Sequence, residues 1–265
     1  MSAPTLHAAR AGHGPTLVVL HGLFGSLDNF HSVSLHLARH LDVVRLDLPG
    51  HGLSPTLPEL SLAAMAERVG AWLHGAGIER CHLLGHSLGG KVAMALAGRQ
   101  GAPPLASLTV VDIAPRHYPP QHAPIIAALA AIDPATLADR READRLLRES
   151  VPEAGVRAFL LKSLVRDEDG AFGWRFDLRG IARDYALMCE APPIATPITV
   201  PTLFVKGGDS DYLGPDDEMQ IRAVCRAPRL REIGGAGHWP HAEKPALFTR
   251  LVHEFVDECE RAEAG

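Results

Sequence analysis

The sequence predicts a doubly wound α/β fold, a mostly parallel sheet with helices on both faces. Three observations predict it: short apolar runs recur along the chain, each ends in glycine or a polar residue, and stretches of helical periodicity separate them. A strand buried on both faces reads as an unbroken apolar run because neither face meets water, and parallel neighbours need a crossover between them.

Taken in order, Thr16-Leu17-Val18-Val19-Leu20 leads into His21-Gly22, and Val43-Val44-Arg45-Leu46 leads into Asp47. His82-Leu83-Leu84 leads into Gly85, and Leu108-Thr109-Val110-Val111 leads into Asp112. Thr202-Leu203-Phe204-Val205 and Arg229-Leu230-Arg231-Glu232-Ile233 complete the set. Helical spacing covers 60–74, through Leu62, Met65, Val69, Trp72 and Leu73, and also 91–99. From about Arg116 to Pro193 the rhythm breaks: prolines cluster, helical patterns cover 125–132, 136–149 and 156–164, and no strand is expected. This stretch is expected to be a helical cap inserted between the strands ending near Val111 and Val205. The core then comprises 1–115 and 194–265, and the cap 116–193. The charged run Asp139-Arg140-Arg141-Glu142 is expected to be a solvated helix face.

The chain has 265 residues, 46% of them hydrophobic and 22% charged, with a net charge of -5. That is the composition of a globular protein without the basic field that nucleic acid requires. No apolar run approaches the roughly 18–20 residues needed to span a bilayer. Residues 1–14 lack a charged start followed by an apolar core, so no export signal is expected. Cys81, Cys189, Cys225 and Cys259 are widely spaced, as expected of reduced thiols in a cytoplasmic protein, and Cys81 is expected in the core. Nothing in the sequence marks an oligomeric state.

Gly85-His86-Ser87-Leu88-Gly89 fits G-x-S-x-G directly between an expected strand and an expected helix, the context the motif requires. To present its Oγ, Ser87 must sit on a very sharp strand-to-helix turn. Side chains at 85 and 89 would then collide with the neighbouring strand and helix, so both positions are glycine. The helix N-terminus points free N–H groups and partial positive charge at the reacting centre. No G-x-G-x-x-G dinucleotide fingerprint is present.

A nucleophilic serine needs two amides for its oxyanion, a base and an acid. Leu88, just after the nucleophile, supplies one amide. The other falls in His21-Gly22-Leu23-Phe24-Gly25-Ser26, at Leu23, with Phe24 as the neighbouring candidate. His21 itself is expected to be structural. Fifteen histidines compete for the base, but His238, in Gly235-Ala236-Gly237-His238-Trp239, lies in a small-residue loop after the last expected strand. His241 is expected to be an exposed turn residue, and His51 and His86 to shape loops beside the site. The order Ser…acid…His admits Asp112, Asp209 or Asp211. Asp112 stands at the carboxyl end of a strand, where ligand chemistry gathers in open α/β sheets. The familiar G-x-x-D spacing from Gly207 lands on Ser210, which becomes an auxiliary hydrogen-bonder.

Together, His21 to Asn29, Gly85 to Lys91, Val111-Asp112-Ile113-Ala114-Pro115, Phe159 to Ser163 and Gly235 through Pro245 closely resemble the YbfF-type esterases of the α/β-hydrolase superfamily. The wider group of ABHD-eleven-type hydrolases is similar too. The resemblance implies a carboxylesterase or acyl-thioesterase with a helical cap and a Ser87, Asp112, His238 triad. The chain departs from the pattern at Asp209 to Asp211, where relatives tend to have Asn and Pro.

The expected chemistry is two-step acyl transfer on a small-molecule ester or thioester, without metal or cofactor. Trp174, Phe172, Phe176 and Phe159 are candidates for the cap's side of the pocket, with Phe24 and Trp239 on the core side. Arg175 or Lys162 are candidates to meet an anionic group, a surface ion pair being the plainer reading. C–C bond hydrolysis and perhydrolysis use the same triad and stand as alternatives, as does a non-catalytic ligand-binding protein. Dehalogenation is disfavoured because it needs a carboxylate where Ser87 stands.

Overall fold

In the computed structural model, which describes residues 5–264, the expected apolar runs all become strands. The strands are β1 (Ala8–Gly12), β2 (Thr16–Leu20), β3 (Asp42–Leu46), β4 (Cys81–His86) and β5 (Leu105–Val111). They continue with β6 (Leu164–Arg166), β7 (Phe172–Trp174), β8 (Thr202–Gly207) and β9 (Arg229–Ile233). The helices are α1 (His31–Leu37), α2 (Leu62–Gly75), α3 (Leu88–Ala97), α4 (Ala123–Ala130) and α5 (Arg140–Leu147). After them come α6 (Ala154–Leu161), α7 (Leu178–Cys189), α8 (Asp217–Val224), α9 (Pro240–Glu243) and α10 (Pro245–Ala264).

Seven strands form one sheet in the order β1-β3-β2-β4-β5-β8-β9, parallel except for β1, which runs antiparallel to β3. The side chains explain the two covered faces. Along β2, Val18 and Leu20 join Leu83, Val110 and Phe204 in one core beneath α2 and α3. Leu17 and Val19 point the other way, with Val43, Leu84 and Val205, against Phe248, Val252 and Phe255 of α10. Two-residue alternation with both faces apolar is what turned these strands into unbroken runs.

The chain leaves β2 towards β3 on one side and returns to β4 on the other. The carboxyl ends of β2 and β4 therefore flank the topological switch point, where a crevice opens in folds of this type. Ser87 follows β4, and Leu23 follows β2.

Two expectations need correction. First, β1 was not anticipated: Ala8–Gly12 is a half-exposed edge strand without β-branched residues, so it carries no apolar signal. Second, the segment between β5 and β8 holds a hairpin, β6–β7, besides α4 to α7. Its strands are three residues each, too short for a period of two to show. Its turn is closed by Asp167, whose side chain accepts the Ala171 N–H at 2.9 Å, and by Gly170 in the left-handed region. The expectation about an export signal concerns, at residues 1–4, positions outside those described. Among the described residues no helix is long and apolar enough to cross a membrane.

The close approach of α3 to the sheet generates a test. A Cβ on Gly89 would lie 2.5 Å from the His21 carbonyl oxygen and 2.6 Å from that of Leu20. Gly89→Ala is expected to lower stability by about 1–3 kcal/mol, the usual cost of overpacking. Thermal denaturation measures this, and an unchanged Tm would refute the contact.

Candidate active site

Ser87 joins β4 to α3 with φ 53° and ψ −117°, a conformation L residues rarely adopt. Its N–H donates to the Val111 carbonyl at 3.0 Å, and its own carbonyl accepts the Lys91 N–H at 3.1 Å as the helix begins. The turn is tight enough that a Cβ on Gly85 would fall 2.2 Å from the Gly89 carbonyl oxygen. Leu88 is the first residue of α3, so its N–H has no intrahelical acceptor. Across the crevice, Gly25 N–H closes a turn onto the Gly22 carbonyl at 3.1 Å, leaving Leu23 and Phe24 at the turn's centre. Phe24 is left-handed there, with φ 60°.

His238, on the loop after β9, places Nε2 3.0 Å from Ser87 Oγ. Its Nδ1 lies 2.7 Å from Asp112 Oδ2. A carboxylate only accepts, so Nδ1 carries the proton and the Nε2 lone pair faces the Ser87 hydroxyl. Asp112 follows β5 directly, at φ 53°, and is wholly buried. Gly207 N–H donates to its Oδ1 at 2.9 Å, and the Ser210 hydroxyl donates to Oδ2. Asp209 and Asp211 are exposed side chains on the same loop, so the structure brings Asp112 and Ser210 to His238 and leaves the other two outside.

His21, His51, His86 and His241 are buried packing groups whose pKa values burial lowers. His21 donates Nδ1–H to the Gly22 carbonyl at 2.8 Å and accepts the Leu48 N–H on Nε2 at 3.0 Å, which fixes the turn before Leu23. His86 donates Nε2–H to the His238 carbonyl at 2.7 Å, and burial holds its pKa well below the usual histidine value. His241 departs from expectation. It is wholly buried rather than exposed, stacks on Phe30 with ring centroids 4.2 Å apart, and lines the site. Its contact with Phe30, far away in the chain, had no signature in the local sequence. Burial, then nearby His238, pushes the His241 pKa down to about 3; burial, then His21, takes His51 to about 3.

A cavity of about 210 Å³ opens beside Ser87 and His238. Phe24 and Trp239 line it, as does Phe159 from α6. Trp174 and Phe176 do not. They stack on each other at 5.7 Å, and Phe176 packs behind Phe24 at 5.4 Å, one layer back from the cavity. Phe172 lies under the Arg166 guanidinium in the hairpin. Arg175 forms a surface ion pair with Asp28 at 3.3 Å, and Arg140 ties α5 to the Leu164 carbonyl rather than being wholly solvated. Among the described residues no three His, Cys, Asp or Glu side chains converge as metal ligands.

Sequence reasoning missed Tyr212, whose ring stacks on His238 at 3.7 Å and 19°. Its hydroxyl sits 3.0 Å from Nε2 of His122, another missed lining residue, and accepts from Gln121 Nε2 at 2.7 Å. An aromatic just beyond the Asp209–Asp211 loop was the available signal. Ser163 was noted only as part of a motif. Its hydroxyl donates to the Phe24 carbonyl at 2.9 Å, so the segment between β5 and β8 pins the turn that carries Leu23.

The alpha/beta hydrolase family matches residues 17–251 of the chain. The chain is 38% identical over 251 residues to the sn-1-specific diacylglycerol lipase ABHD11 of Mus musculus, covering 91% of this chain and 81% of that one. It is 34% identical over 243 residues to esterase YbfF of Escherichia coli (strain K12), covering 91% and 93%. A solved structure of a marine microorganism esterase superposes with a TM-score of 0.91 at 34% identity, over 96% of this chain and all of the other.

The buried histidines predict how stability responds to acid. His51 and His241 are lowered to about 3 and His122 to about 4, each chiefly by burial. Because the folded pKa values lie below those of the unfolded chain, the unfolded state binds protons first. Stability is therefore intact above about pH 6.5 and falls as pH drops towards 4, by about 1.4 kcal/mol per pH unit for each histidine. Thermal melts between pH 7.5 and 5, above the range where carboxylates titrate, are expected to show a falling Tm. A flat Tm would contradict the burial.

Proposed function

This chain belongs to the alpha/beta hydrolase family, and on that premise we propose that it hydrolyses carboxylic esters through an acyl-enzyme on Ser87. The observation that carries the reading is the line from Asp112 Oδ2 through His238 to Ser87 Oγ, with steps of 2.7 and 3.0 Å. His238 Nε2 takes the Ser87 proton as Oγ attacks the ester carbonyl, and the Leu23 and Leu88 amides hold the oxyanion. The C–O bond to the alcohol then breaks, and the leaving oxygen takes the proton from Nε2. Water, deprotonated by the same imidazole, attacks the acyl carbon, the bond to Ser87 Oγ breaks as Oγ takes the proton back from Nε2, and the acid is freed. Asp112 keeps the proton of His238 on Nδ1 and balances the imidazolium charge as it forms.

Residues 1–115 and 194–265 supply this chemistry, and 116–193 act as the cap. His122, Ile125, Val156 and Phe159 of that segment form the cavity wall opposite the triad. Names among the relatives, esterase for that of Escherichia coli and for the marine structure, support the substrate class. Four free, buried cysteines support a reducing, cytoplasmic address.

Ser87→Ala is expected to abolish hydrolysis of p-nitrophenyl butyrate, and a fluorophosphonate probe to label Ser87; a label mapped elsewhere overturns the nucleophile. Asp112→Asn should lower kcat by about 10²–10⁴-fold, as loss of the acid does in other triads. Asp211→Asn should stay near wild type, and the reverse pattern would move the acid to Asp211.

A further inference from the structure

Two cavities, not one, meet at Ser87. The larger, about 210 Å³, is walled by His238, Trp239 and His241 on the core side and by Val156 and Phe159 on the other. The smaller, about 50 Å³, is bordered by Leu88, Ile113, Tyr118 and Met188. Ser87, Leu23, His122 and Tyr212 border both. His238 borders only the larger.

The direction of proton transfer decides which part of an ester enters which cavity. The leaving alcohol oxygen must take its proton from His238 Nε2, so the alcohol has to lie on the His238 side. The carbonyl oxygen is directed to the amides of Leu23 and Leu88. With those two substituents fixed, the acyl chain is left with the space bordered by Leu88. We propose, building on the hydrolase reading, that the 50 Å³ cavity is the acyl pocket and the 210 Å³ cavity the alcohol pocket. The enzyme then selects esters of short acids with large apolar alcohols.

Size sets the limits. The smaller cavity has about a quarter of the volume of the larger. The acyl group assigned to the first is accordingly a short one, of about two to four carbons. Lys91 borders the small pocket, but its ammonium donates to the carbonyls of Met188, Cys189 and Glu190 at 3.3, 2.8 and 2.7 Å. It is thereby occupied as the cap of α7, and the pocket presents an apolar floor of Ile113 and Met188 to the chain end.

The test is a pair of substrate series on the full chain. In the first, the alcohol is p-nitrophenol and the acid runs from acetate to decanoate. In the second, the acid is acetate and the alcohol grows from ethanol to octanol and 1-naphthol. The expected result is a fall in kcat/KM of at least about tenfold between butyrate and octanoate, the scale on which an apolar pocket discriminates added methylenes. Octyl and naphthyl acetates should be cleaved at least as well as ethyl acetate. Met188→Ala, which deepens the small pocket, should move the acyl optimum to longer chains. Val156→Ala, in the wall of the large one, should leave that optimum in place, with Tm confirming that both variants fold. Octanoate cleaved as well as butyrate, or an acyl optimum that moves with Val156→Ala and not Met188→Ala, overturns the assignment while leaving the hydrolase reading intact. Absence of Ser87-dependent turnover of every ester overturns both.

Discussion

A carboxylate with no access to water must be given hydrogen-bond donors by the protein, and the arrangement of the site follows from where Asp112 finds them. One comes from the backbone at the end of β8, one from Ser210 in the loop beyond it, and one from His238 after β9. Leaving any of these out would strand charge in a dry interior, at a cost of several kcal/mol. The same contacts that satisfy the charge therefore draw three strand ends together and aim the imidazole. A Cβ at Gly207 would lie 2.0 Å from the Gly237 carbonyl oxygen, so the loops from β8 and β9 pass almost in contact while doing so.

The segment between β5 and β8 does more than line the cavity. Ser163 holds the carbonyl of Phe24, Asp184 accepts the Leu60 N–H at 2.7 Å, and Asp177 N–H donates to the Gly50 carbonyl at 2.8 Å. From the other direction, Lys91 on the nucleophile's own helix caps α7, and burial lowers its pKa to about 8. The first three anchors end in loops that follow β2 and β3. The position of that segment and the turn that carries Leu23 are thus coupled.

The fold was legible where the chain buries both faces of a strand, because that constraint writes itself as an unbroken apolar run, as at Leu17 to Leu20. It was illegible at Ala8–Gly12, where an edge strand owes its existence to β3 rather than to its own residues. Ser87 could be read from its neighbours because Gly85 and Gly89 are demanded by local sterics. Asp112 could only be narrowed to a set, since its distinction from Asp209 and Asp211 is burial, a property of the assembled sheet. His241 and Tyr212 went unread for the same reason: one is stacked on Phe30 and the other laid on His238, both by contacts distant along the chain. Trp174 and Phe176 show the converse error. An aromatic in the right segment is not thereby in the front layer.

Among the described residues, four that are not glycine have positive φ, and three of them are Phe24, Ser87 and Asp112. They stand in the turns after β2, β4 and β5, which are consecutive neighbours in the sheet. Each such backbone costs about 1–3 kcal/mol that glycine would largely relieve. Strain held in three adjacent turns sets durability against the geometry of the candidate site, and engineering for robustness should leave those three turns alone.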